Sequence, residues 1–349
     1  MTEQTESSSI TSFCVVCPLV SVIYLVHYLP SPNRLKRNEF LCMLVGSLCA
    51  STTGNFIHQT IAQEILMNSR TGAYFKTLLF ATAVYSLVQY FLTPALLDIA
   101  QIPMERRQVS NLWGSGLSAL LMFTLFTYLA GNIQASRQQH FFLWFVLIFG
   151  NFASASFEGH FFAPELTSGS LVVDMLIQLI FSLLAAGLIT ALAANTSSVA
   201  EIQSRLKSRR WFSWTWRLLV GSIVYLITYY LFGMIFYLLF TAPYYVAGIE
   251  GLTVPPPGLI FKIELIRAPI MVLSVVMFAF MTNYSRKQLA LTCGISMFWI
   301  GGLVALVTVS HILPTPLVVA HTFEILSQNF LTGVLVGYLF WNMNNKVQS

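Results

Sequence analysis

The sequence predicts an all-α, polytopic integral membrane protein, a bundle of about ten transmembrane helices. Three observations predict it. Of the 349 residues, 56% are hydrophobic and only 9% are charged, whereas a soluble domain carries about 25% charged residues. Apolar runs of about 20 residues recur along the chain, each long enough to cross a hydrocarbon core of about 30 Å. The period-two alternation of a membrane β-barrel is absent. A helix bundle, which satisfies every backbone group internally, is the remaining solution in lipid.

The runs cover residues 10–29, 40–61, 75–97, 112–132, 141–161, 171–194, 214–241, 258–282, 289–311 and 315–342. Before the first stand Glu3 and Glu6 and no Lys or Arg. A secretory signal has a basic leading region, so this run is expected to be kept as a helix. Pro30-Ser31-Pro32-Asn33 ends it, because proline lacks the N–H and restricts its predecessor. Gly131-Asn132 and Ala194-Asn195-Thr196-Ser197-Ser198 punctuate later ends. The seventh run is long enough to tilt or to extend past the bilayer. Pro255-Pro256-Pro257-Gly258 makes a stiff turn before the eighth. The longest polar stretch, Asn195–Arg210, is 16 residues, too short for a soluble domain. Residues 1–349 therefore read as one transmembrane domain.

The net charge of +5 resides in short basic clusters between apolar runs, which the positive-inside rule explains without nucleic acid. With a cytoplasmic N-terminus, ten spans place 11 Lys and Arg on the cytoplasmic side and five opposite. That balance favours both termini inside, in a plasma (inner) membrane. The second half obeys the rule cleanly and the first half opposes it.

A five-plus-five inverted repeat, with halves 10–161 and 171–342, would explain that conflict. Asn33-Arg34-Leu35-Lys36-Arg37 matches Ser204-Arg205-Leu206-Lys207-Ser208-Arg209, and Arg106-Arg107-Gln108 matches Arg286-Lys287-Gln288. A five-helix unit has odd parity, so its second copy enters the membrane upside down, a recurrent design of secondary transporters. Basic strings between membrane helices also match by chance. In the repeat, the fourth and ninth helices are equivalent. Trp113-Gly114-Ser115-Gly116 opens one and Gly301-Gly302 interrupts the other, as breakable points or as packing notches.

Ionisable groups inside membrane segments are costly and attract a functional hypothesis. Three groups occur. Glu158 and His160 diverge by about 200° on a regular helix, unless Gly159 breaks it and lets them join Asp174 in a proton or cation site; otherwise they form a solvated interfacial cluster. His311 precedes His321 and Glu324, which share a helix face that Gln328 continues. This face reads as a proton relay, since histidine titrates near neutrality, or as a polar clamp between helices. Glu264 and Arg267, one turn apart before Pro269, read as an ion pair or as a site for an anionic substrate group.

The cysteines, Cys14, Cys17, Cys42, Cys49 and Cys293, all lie in apolar runs and read as packing residues. No di-iron, zincin, nucleophile-elbow or phosphate-loop pattern is present, so no catalytic residue, metal or cofactor is assigned. An enzyme is not the expected reading. Paired haem histidines have no specific spacing here. The expected function is a transporter or permease for a small solute, with proton coupling. The rivals are a non-catalytic assembly or sensory subunit and a membrane-embedded enzyme or haem protein. The expected partners are the lipid bilayer, a small solute, and either a protein partner or a second copy of the chain.

Overall fold

The computed structural model describes residues 69–102, 112–193, 195–196, 211–282 and 284–341. The first two apolar runs, Arg34 to Arg37, Arg106, Arg107, the 204–209 cluster, His58 and four of the five cysteines lie outside the described residues. The chain divides into two compact units between Phe80 and Ala81. The described part of the first is the opening of one helix, and the side-chain contacts and cavities below are those of the second.

Among the described residues, eight helical segments are long and apolar enough to cross a membrane, matching the third to tenth predicted runs. The chain is thus an integral, multi-pass membrane protein whose solvent is the lipid bilayer. Helix α1 covers Ser69–Ile99, α2 Leu112–Asn132, α3 Arg137–Phe162 and α4 Leu171–Ala193. Next come α5 (Trp211–Phe236), a π-helical segment Tyr237–Thr241 and α6 (Ala242–Val246), together one span. Helix α7 runs Pro257–Met281. Two further spans are each split by a π segment. One is α8 (Arg286–Phe298), Trp299–Leu303 and α9 (Val304–Val309). The other is α10 (Thr315–Ile325), Leu326–Phe330 and α11 (Leu331–Trp341). The only pairing of strands among the described residues is a two-residue parallel bridge, Gln134–Ala135 with Asn195–Thr196, so the class is all-α.

Local signals set several boundaries. Ser136 and Gln139 form a reciprocal capping box at the start of α3, and Ser285 and Gln288 do the same for α8. Each box satisfies two backbone donors that a helix start leaves open. Pro257 occupies the first turn of α7, where its missing N–H costs nothing. The seventh predicted run ends at 241, yet the helix continues to Val246 through its π segment.

The span α5 to α6 exposes Ile223, Ile227, Leu231, Met234 and Leu238 along one side. Such a face suits lipid and would be unstable in water. The α8–α9 span, by contrast, is the most enclosed of the eight. Its Trp299 donates its indole N–H to the Leu121 carbonyl of α2 at 2.8 Å. Trp144 of α3 packs on Phe126 and Phe278, with ring centroids 5.4 and 6.1 Å away. Cys293 is buried beside this core, as expected of a packing residue.

Helices α8 and α11 approach so closely that glycine is obligatory. A Cβ on Gly337 would stand 2.5 Å from Ala290 Cα, and one on Gly333 would stand 2.5 Å from the Cys293 carbonyl oxygen. Gly333 and Gly337 form the small-xxx-small pattern that brings membrane helices together without a hydrophobic driving force. Next to this seam, the Thr228 and Thr332 hydroxyls bond at 2.6 Å and tie α5 to α11.

Candidate functional site

A cavity of about 480 Å³ lies among α1 to α7 and the α8–α9 and α10–α11 spans. Its walls include Glu158, Asp174, Arg267, His321 and Glu324, five of the eight residues singled out in the sequence. They come from four separate helices, α3, α4, α7 and α10. The bundle therefore gathers side chains from all three sequence groups around one space.

Arg267 is the hub. Its guanidinium meets Glu158 Oε2 at 2.7 Å and Glu264 Oε1 at 2.5 Å. The Arg267 side chain is 6% exposed and that of Glu264 is 0% exposed, so these two form a buried ion pair, which the partly exposed Glu158 joins. Arg267 lies ten residues into α7, about 15 Å along the axis, near the middle of a bilayer. The Tyr229 hydroxyl donates to Glu158 Oε1 at 3.1 Å, and the Arg267 guanidinium stands 5.9 Å from the Tyr229 ring centre. Two carboxylates occupy Nη1 and Nη2 of Arg267, while its buried Nε has no hydrogen-bond partner among the described residues.

On the facing wall, His321 Nδ1 bonds to Glu324 Oε2 at 2.8 Å, across one helical turn. His321 Nε2 lies 3.3 Å from the Tyr245 hydroxyl of α6. With Glu324 ionised, the Nδ1–H donates a hydrogen bond to the carboxylate, which leaves Nε2 facing the Tyr245 hydroxyl. When Nε2 is bare, Tyr245 donates to it; when Nε2 is protonated, Tyr245 accepts. Gln328 and Asn329 continue the polar face inward from the following π segment, and Asn329 donates to the Met297 carbonyl at 3.4 Å.

Asp174 sits in the first turn of α4, where a negative charge is favoured by the helix dipole. One carboxylate oxygen accepts from the Ser168 backbone N–H at 3.3 Å, while the other finds no partner among the described residues. The Oε1 of Gln89, another wall residue, is likewise without one. Buried polar atoms of this kind are completed by water or by a bound polar molecule.

Three expectations resolve differently in space. Helix α3 continues unbroken through Gly159, so Glu158 and His160 diverge and His160 does not line the cavity. His311 lies in the exposed turn after α9, close to Gly114, also away from it. The Trp113–Gly116 stretch opens an unbroken α2, whereas Gly301 and Gly302 fall inside a π segment. A Cβ on Gly301 would come within 2.5 Å of Asn151 Oδ1, and one on Gly302 within 2.2 Å of Ile325. Both glycines are therefore close-packing notches within an irregular stretch of helix.

The turns at this end of the bundle are strapped together. The Thr253 N–H donates to the Phe162 carbonyl at 2.9 Å. Gly251, with φ at +71°, lies so close to Glu165 that a side chain there would collide with it. Tyr229, Tyr245, Gln89 and Gln178 are wall residues that charge-based reading passes over. Gln178 carried a legible signal, since it lies one turn beyond Asp174 on the same face of an apolar helix. The chain matches no family model, no curated protein and no solved structure.

Proposed function

We propose that this chain is a secondary transporter or permease that moves a small solute across the membrane in exchange for, or together with, protons. The observation that carries the reading is the polar cavity among apolar helices, with ionisable side chains from four helices on its walls. Keeping such groups inside a membrane protein is costly, and they mark ion and substrate pathways. A purely structural bundle gains nothing from a space of about 480 Å³ left between its helices.

The charge balance indicates the class of solute. Glu158, Asp174 and Glu324 line the cavity with Glu264 just behind, against the single guanidinium of Arg267. A solute bearing a positive group, or a proton, is favoured over an anion. His321 and Glu324 form the proton-binding pair, and loading of Nε2 changes the pair from net negative to neutral.

The five-plus-five inverted repeat belongs to this proposal. Its equivalent fourth and ninth helices, α2 and the α8–α9 span, are joined by the Trp299 hydrogen bond and by the close approach of Gly114 to the Thr308 carbonyl. An in-plane pseudo-two-fold axis would bring equivalent helices together in this way. Both termini are placed in the cytoplasm, which puts the cavity's strapped turns on the opposite face.

The test uses purified protein in liposomes enclosing a pH-sensitive dye. Small amines, amino acids and carboxylates are added outside in turn. Proton movement driven by an amine or amino acid is expected. Movement with carboxylates alone would overturn the charge assignment, and silence across the whole panel would overturn transport coupled to protons.

A further inference from the structure

A second cavity of about 440 Å³ lies at the other end of the bundle and shares no wall residue with the first. We infer that it is a binding site for a phospholipid with an anionic headgroup, held by Arg217 and Arg286 with its acyl chain in the furrow between α5 and α11. The inference is independent of the proposed transport.

Consecutive spans alternate in direction. The start of α5, the start of α8 and the end of α11 therefore share one membrane face. That face brings Arg217 and Arg286 to one cavity together with Trp216, Tyr338 and Trp341. The Arg286 guanidinium lies 4.7 Å from the Tyr338 ring centre and 5.8 Å from that of Trp341. Arg217 is braced by donating to Ser213 Oγ at 3.1 Å and lies 5.2 Å from the Trp216 ring centre. Aromatic rings hold both cations at the level where tryptophan and tyrosine mark the membrane interface.

Below the arginines the cavity becomes wholly apolar. Val220 and Val224 of α5 face Leu335 and Leu339 of α11. Gly221 forms part of the floor, where a Cβ would be 3.0 Å from Val272 and 3.4 Å from Val336. The rim is open to the outside, since Trp216, Val220 and Leu335 are 39%, 37% and 41% exposed. An apolar trough that opens to lipid and ends in two positive charges has the two-part chemistry of a phospholipid. Among the described wall residues none is acidic. None of these described wall residues would receive the cationic group of a zwitterionic headgroup, so their charge favours a net-negative one.

The experiment uses the full-length protein, delipidated in mild detergent. It is titrated with phosphatidylglycerol, phosphatidylcholine or inorganic phosphate, and bound lipid is counted by native mass spectrometry. Phosphatidylglycerol should be retained in preference to phosphatidylcholine. Arg217→Gln and Arg286→Gln should each weaken that preference by about fivefold, while Arg286→Lys should keep most of it. Leu335→Trp, which fills the furrow without changing charge, should reduce retention of phosphatidylglycerol. Equal retention of the two lipids by the unaltered protein would overturn the site. So would an unchanged preference in the doubly substituted Arg217→Gln/Arg286→Gln protein. Displacement of phosphatidylglycerol by an equal concentration of inorganic phosphate would show a bare anion site and would overturn the lipid assignment.

Discussion

At the scale of single residues, the site is governed by how buried charges are compensated. Arg267 pairs with both Glu158 and Glu264, so its removal strands a carboxylate that is 0% exposed. Arg267→Leu is expected to destabilise the protein by about 3–5 kcal/mol, read as detergent thermostability. Glu158→Gln should be much milder, because the Arg267–Glu264 pair survives and the Glu158 side chain is already 29% exposed. Equal losses from the two substitutions would contradict the hub role of Arg267. Glu324→Gln and Glu324→Leu separate a proton pair from a clamp. The amide keeps shape and hydrogen bonding, so the fold should persist while pH-dependent activity disappears. Leucine leaves His321 Nδ1 without its carboxylate partner and should lower stability as well. The individual residues were legible in sequence, since a carboxylate or histidine in an apolar run stands out. The Glu158–Arg267 pairing was not, because it joins α3 to α7 and no local spacing encodes it. His160 was misplaced in expectation because a glycine permits a helix break without requiring one.

At the scale of elements, apolar runs located the described spans to within a few residues, since hydrocarbon thickness fixes their length. The three π segments were not legible. An apolar run reports burial and carries no information about whether the backbone bonds to the fourth or the fifth residue. Two of these segments, Trp299–Leu303 and Leu326–Phe330, contribute wall residues, in keeping with the frequency of π-bulges at functional sites. The α8–α11 seam was legible in principle from the Gly333–Gly337 spacing, but only the structure identifies its partner as Ala290 and Cys293. Gly337→Ala should cost about 1–3 kcal/mol of stability, because the new Cβ meets backbone that cannot swing away. Gly131→Ala should be harmless by the same thermostability assay, as nothing lies within 4 Å of its Cβ position. A Gly337→Ala protein as stable as the parent would show that the helices separate at no expense.

At the scale of the whole molecule, four spans separate residue 70 from Asn195 and four more separate Asn195 from the end of α11. Reporter fusions after Asn195 and after Lys346 should therefore report the same face, which is the cytoplasm in the proposed orientation. Opposite faces would overturn the span count. The class of the protein was legible from composition because lipid permits so few architectures. The grouping of its charged residues was not, because the spans that bring them around one cavity are far apart in sequence. In the proposed transporter this cavity couples a solute to protons through His321 and Glu324. The most direct measurement compares solute-driven proton flux in liposomes containing the unaltered protein or Glu324→Gln, at matched protein content and with both proteins shown to melt alike. Flux in the unaltered protein and its loss in Glu324→Gln is the predicted result. Undiminished, equally pH-dependent flux in Glu324→Gln would contradict it.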